Sequence, residues 1–381
     1  MKTTLLILAL GAFALASTLR AEETTRPPIN PALLYWQAAA VLPKLTDDQA
    51  KDLGAMASGK IPFDAAKAQG LLTSESSLRL MQKAANSTAP CDWGLPTEDG
   101  PEMALPHTSK MLEMASLAIL GAETSFASGK TKEGLDWLLT TQRMARHAGA
   151  GDLLISNLVQ FAIETNAIRA AARHCLSWDP ETRQSYTAML QTLPPLHTTQ
   201  AAYRGEHWLI DWVERKFTEP AESKADGEKF LQSIVAGGSK PEDKEALAAE
   251  LAPGAIQAAL AELRSLQSRT EAAAGKPWSK AEPELKALDE EAARSSHFLV
   301  RASYPTPASV AAKQYAIATM RTMLDAALQH GPQLDAAAAA TYHDSFDGEP
   351  LLLKKAGDGA LTLFASHQHP AGKDLSLQLG K

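Results

Sequence analysis

The residues best placed for chemistry lie in the stretch AYRGEHWLIDWVERKF, from Ala202 to Phe217. In a helix, His207 and Asp211 stand four residues apart and face one another, as a general base and its orienting carboxylate would. Glu206 adjoins His207 in sequence but points about 100° away around the helix axis. Glu206, His207 and Asp211 are therefore the first candidates for an acid–base site. A local hydrogen bond without chemistry fits the same spacing and is the commoner use of such a pair. Trp208 and Trp212, also four apart, read as a core stripe rather than a ligand platform.

Three further sets of residues have the right types. Asp344, Asp347 and Asp374 supply hard oxygen ligands of the kind Ca²⁺ requires, although turn aspartates look the same. His367 and His369 would share a strand face and could bind one metal, but two ligands are too few and a loop before Pro370 fits as well. Arg143, Arg146 and His147 close a helix, where cations suit the C-terminal dipole; the alternative is a groove for an acidic partner. Two near-misses to a phosphate loop occur. Gly54-x4-Gly59-Lys60 has Ile61 where Ser or Thr would hold Mg²⁺, and Gly129-Lys130-Thr131 lacks the upstream glycine. Both read as helix-end turns. The chain has no H-E-x-x-H, G-x-S-x-G or paired C-x-x-C, and no resident cofactor is expected.

The elements that must position these residues are mostly helical. Alanine dominates, and aromatic residues make up only 6%. Asn30-Pro31, Asp179-Pro180 and Thr306-Pro307 each look like an N-cap followed by proline at the first helical position. Thr46-Asp-Asp-Gln49 and Ser279 with Glu282 fit capping boxes, and Gly331-Pro332 reads as a helix stop. Leu112, Ala115, Ile119, Ala122 and Phe126 mark one helix face. Leu135, Leu138 and Leu139 mark a second helix, and Leu154, Leu158, Phe161, Ile168 and Ala172 a third. A fourth starts at Pro180. These are two successive hairpins of irregular, tetratricopeptide-like (TPR-like) kind. Residues 86–106 read as a long loop held by Cys91 and Trp93, and residues 218–245 as a charged insertion. After Asp344 the pattern changes. Leu351–Leu353 and Leu361–Phe364 flank a Gly-Asp-Gly turn and predict a β-hairpin, with Asp374–Leu379 as a third strand.

Residues 1–21, MKTTLLILALGAFALASTLRA, have the layout of a secretory signal peptide, with cleavage after Ala21 preferred to Ala16. Its loss removes Lys2 and Arg20 and leaves 35 basic against 44 acidic residues, a formal charge of −9. Such a chain is a poor candidate for nucleic-acid binding, and export removes it from cytosolic ATP and NAD. The expected location is periplasmic or extracellular. No second apolar run is long enough to span a membrane, and no cysteine follows the leader to take a lipid. Cys91 and Cys175 could pair, closing a loop of about 84 residues worth roughly 3–5 kcal/mol, or remain two free thiols.

NPALLYWQAAAVLP, then Cys91-Asp92-Trp93, then MARHAGAGDLLISNLVQFAI and the terminal DG-PL…LTLF…GKDL segment resemble a family of exported bacterial proteins typical of planctomycete and verrucomicrobial genomes. The resemblance spans most of the chain after the leader and carries no activity to transfer. The tail is also similar to the C-terminal segment of type II secretion pseudopilins. The pilin processing site and long N-terminal pilin helix are missing, so pilus assembly is not implied.

The expected fold is mainly α, an array or curved bundle of irregular TPR-like hairpins over residues 22–340, closed by a small β-hairpin segment at 341–381. The expected function is a non-enzymatic scaffold that binds a protein or peptide in the cell envelope. An exported hydrolase or lyase with a carboxylate/His site in a helical cleft is the alternative, and a structural envelope protein without a discrete ligand is a third reading.

Overall fold

The computed structural model describes residues 27–381 except 219–224, 226, 230–231, 233–240, 252–254, 358–359, 369–373 and 381. Residues 1–21, read above as a signal peptide, His369 and most of the charged insertion lie outside these residues. Among the described residues the chain is mainly α-helical, with 16 α-helices and a three-stranded antiparallel sheet.

The helices are α1 (Pro31–Ala40), α2 (Asp47–Ala57), α3 (Ala65–Leu71), α4 (Glu75–Ala85), α5 (Pro106–Ala127), α6 (Thr131–Gly149), α7 (Leu154–Cys175) and α8 (Pro180–Gln191). They continue as α9 (Thr199–Gly205), α10 (His207–Thr218), α11 (Pro241–Glu250), α12 (Ala255–Ala274), α13 (Trp278–Ala293), α14 (Phe298–Ser303), α15 (Pro307–His330) and α16 (Ala336–Ala339). The strands are β1 (Leu352–Lys355), β2 (Leu361–Gln368) and β3 (Asp374–Leu379), in the order β1-β2-β3.

Local chemistry sets many of these boundaries. Asn30 accepts from Ala32 N, Asp179 accepts from Thr182 N, and Thr46 and Gln49 form both halves of a capping box. Gly331 ends α15 at φ +55°, a left-handed conformation that glycine adopts without strain. Two expected caps are corrected. Ser279 lies inside α13, which starts one residue earlier, directly after Pro277. Thr306 makes no side-chain cap.

Buried residues form two cores. The first joins α1 to α8, the C-terminal half of α15 and the sheet; the second joins α10 to α14 and the N-terminal part of α15. α5, α6 and α7 pack against one another at its centre, and α7 also meets α15 and β3. Being enclosed, α5 buries a wider arc than one stripe: Met111, Met114, Leu117, Ala118 and Leu120 are covered as well as Ala115, Ile119 and Ala122. Leu112 falls outside that arc at 37% exposure, contrary to the expected inward face. At 24 residues, α15 is about 36 Å long and serves both cores, with Ala308, Ala311 and Ala312 in one and Met320, Met323 and Leu324 in the other.

The predicted hairpin and third strand are present. Leu353 pairs with Leu363, which pairs with Leu377. Five inward-facing strand residues, Leu361, Leu363, Ala365, Leu377 and Leu379, join the first core. The sheet is therefore part of the helical body's packing. The 86–106 loop is held by Trp93, whose Nε1 donates to His147 O at 2.8 Å and whose ring stacks on His107. The two cysteines do not pair. Cys91 is half-buried in that loop and Cys175 is buried at the end of α7, both as free thiols whose pKa burial pushes to about 12.

Candidate functional site

The His207–Asp211 pair suggested by spacing does not form a hydrogen bond, and Glu206 is engaged elsewhere. Glu206 follows α9, and its Oε1 accepts from Leu154 N at 2.7 Å, capping the first turn of α7. Burial raises its pKa, opposed in part by that bond. Asp211 turns to α12 instead of His207. Arg264 donates to it at 2.9 Å and to Glu214 at 2.8 Å, and arginine–carboxylate bonds are among the stronger hydrogen bonds. His207 opens α10 with neither carboxylate as a hydrogen-bond partner. Trp212 is core, as expected, at 5% exposure.

Two of the metal candidates, Asp344 and Asp347, are engaged in other bonds. Asp344 is 3% exposed and accepts from Thr319 Oγ1 at 3.2 Å and Phe346 N at 2.7 Å. Asp347 accepts from Glu349 N at 3.0 Å, an Asx turn. Asp374 opens β3 and His367 lies in β2. Among the described residues no group of three or more His, Cys, Asp or Glu side chains is arranged to hold a metal.

The basic cluster at the end of α6 is likewise divided. Arg146 is buried in an ion pair with Glu164 at 2.8 Å. His147 Nδ1 meets Tyr35 Oη at 2.9 Å, and burial lowers its pKa to about 4. Arg143 bonds Asn86 and Thr192.

The structure instead gathers cations on a different face. A cleft of about 640 Å³ opens between the turn after α2, helix α7 and strand β3. The turn is the Gly59-Lys60 near-miss, confirmed as a helix end. Gly59 takes φ +73°, Lys60 N donates back to Ala55 O at 2.9 Å, and Ser58 Oγ donates to Gly54 O at 2.8 Å. A Cβ on Gly59 would stand 2.8 Å from Arg173 Nη1, so a side chain there would push that guanidinium aside. Arg169 and Arg173 are four apart on α7 and line the same wall. Met56, Ile61 and Phe63 form an apolar side, and Ser376 and Gln378 of β3 face it.

The charges are not balanced. Glu123 of α5 is buried and accepts from Arg173 Nε at 2.9 Å, Arg173 Nη2 at 2.7 Å and His174 Nε2 at 2.8 Å. Burial alone would raise its pKa, but His174 and Arg173 hold the carboxyl below its ordinary value. Among the described residues neither Arg169 nor Lys60 has an ion-pair partner. Partial desolvation, then the neighbouring Arg173 charge, depresses the Arg169 pKa. Three cations thus meet one carboxylate whose oxygens are already engaged. Such a wall attracts carboxylate or phosphate groups.

Sequence reasoning read the Gly59-Lys60 turn as a helix end and passed over Arg169 and Arg173. Their i, i+4 spacing on α7 was the available signal. Comparisons with protein-family models, curated proteins and solved structures give no match.

Proposed function

We propose that this is an exported, non-enzymatic helical binding protein that seats an acidic segment of a protein or peptide partner in the Lys60–Arg169–Arg173 cleft. Arg169 carries the reading, as an arginine on the cleft wall beside a second arginine with no carboxylate of its own among the described residues. Like charges four apart on a helix repel, and an anionic ligand relieves that repulsion. The apolar side formed by Ile61 and Phe63 suits the side chains of a peptide between its carboxylates. The antiparallel α5–α6–α7 packing agrees with a TPR-like hairpin scaffold. Export rests on residues 1–21 and on the resemblance to planctomycete and verrucomicrobial exported proteins. The hydrolase or lyase alternative is less favoured, because Glu206 and Asp211 hydrogen-bond Leu154 and Arg264 instead of His207.

The test is fluorescence anisotropy with labelled acidic, neutral and basic peptides of equal length. The acidic peptide is expected to bind best, more weakly as salt rises. Lys60→Glu with Arg169→Glu reverses two exposed charges, each pair being worth about 0.2–1 kcal/mol, so affinity should fall about tenfold. Equal binding of acidic and neutral peptides, or an unchanged affinity in the double variant, refutes the proposal.

A further inference from the structure

A separate cavity of about 110 Å³ lies in the second core, where α7, α9, α10, α12 and α14 converge, and it shares no lining residue with the cationic cleft. Leu154, Leu209, Ile210, Leu263 and Pro305 make its walls mostly apolar. Besides Gln267, whose amide Nε2 donates to Tyr203 O at 3.4 Å, three polar groups enter it. Tyr203 is 1% exposed, and its hydroxyl has no partner within the protein. Ser303 Oγ is buried and equally unpartnered. Glu206 commits one carboxylate oxygen to Leu154 N. Tyr304 and Thr270 also line the cavity but satisfy each other through their hydroxyls.

Among the described residues no lysine or arginine lines the cavity. Asp289 acts on both tyrosines from outside the lining, and Arg269 acts on Tyr304. The polar end is therefore rich in acceptors and anionic in character. Burial opposes ionisation of Glu206, and a cation beside it would offset that effect.

We propose that this cavity is a binding site for a small primary alkylammonium, its head between Glu206, Tyr203 and Ser303 and its tail among Leu154, Leu209 and Leu263. An ammonium has three N–H donors, matching the three available acceptors. A cavity of about 150 Å³ takes the six carbons of benzene, so 110 Å³ accommodates about four to five heavy atoms, with butylamine at the upper end. A neutral alcohol would satisfy the hydroxyls and leave the carboxylate uncompensated. A carboxylate ligand would be repelled by Glu206.

The experiment titrates the purified protein with n-butylammonium chloride at constant ionic strength by calorimetry, with n-butanol and butyrate as comparison probes. A parallel titration follows the Leu154 amide by nuclear magnetic resonance. Saturable one-to-one binding is expected for butylammonium, at least tenfold tighter than for butanol and undetectable for butyrate, with a shift at Leu154. Glu206→Gln keeps an oxygen for Leu154 N–H and so preserves the cap, and it should weaken binding at least tenfold. Tyr203→Phe removes one acceptor and should weaken it severalfold. Both variants are checked for native circular dichroism. Absence of saturable heat, butanol binding as tightly as butylammonium, or undiminished binding in both variants overturns the proposal.

Discussion

Replacing Glu164 by Gln tests how the centre of the first core tolerates charge. The Glu164 side chain is fully buried on α7 and accepts from Arg146 Nη1 at 2.8 Å and from Arg321 of α15. Arg146 is 4% exposed and Arg321 24%. Arg146 also donates through Nε to Pro194 O at 2.8 Å. Glutamine keeps the shape but removes the only anion between two guanidinium groups and turns an amide N–H₂ toward their donors. Breaking a buried pair costs about 3–5 kcal/mol; partial solvation of Arg321 places the expected loss near the lower end. The triple variant Arg146→Met, Glu164→Leu, Arg321→Met removes the desolvation of all three charges along with the attraction, and is expected to be near wild-type stability or above it. Urea unfolding, followed by far-ultraviolet circular dichroism and tryptophan fluorescence, measures both. With a slope of about 1–3 kcal/mol/M, Glu164→Gln should move the midpoint down by at least about 1 M. A loss under about 1 kcal/mol, or a triple variant no more stable than the single one, would refute the claim that charge burial dominates here.

Gly205→Ala places a methyl on the Asp152 carbonyl, and the forced separation of α9 from the α6–α7 turn should cost about 2–3 kcal/mol; wild-type stability in the same urea assay would contradict this. His147 is held neutral, with a pKa of about 4 in the folded protein against 6.5 ordinarily. The unfolded chain therefore binds the proton first, and stability should fall as pH drops from about 6.5 toward 4. His147→Gln should flatten that part of the stability–pH curve, and an unchanged slope would show that other groups control it.

Much of the fold was legible because it depends on nearest neighbours. Asn30, Thr46 and Asp179 cap helices through bonds that span two or three residues, and Gly331 stops α15 through its own backbone freedom. The strand alternation of Leu361, Leu363 and Ala365 likewise needs no distant information. Local reasoning failed where a distant partner made a better offer. Arg264 took Asp211 from His207, and Leu154 took the Glu206 carboxylate. Leu112 lost its inward position because α5 is enclosed by neighbours that no single helix's periodicity can encode.

By itself, the sequence of this protein determined a helical chain with a small terminal sheet, because helix propensity, capping and alternation act over a few residues. Only tertiary structure decided where charge is unbalanced. Lys60, Arg169 and Gln378 lie far apart in the chain and share one cleft, while Arg146 and Arg173, alike in sequence, find carboxylates on other helices. Whether an arginine is paired depends on what packing brings within about 4 Å of it, and that is a property of the folded arrangement of helices.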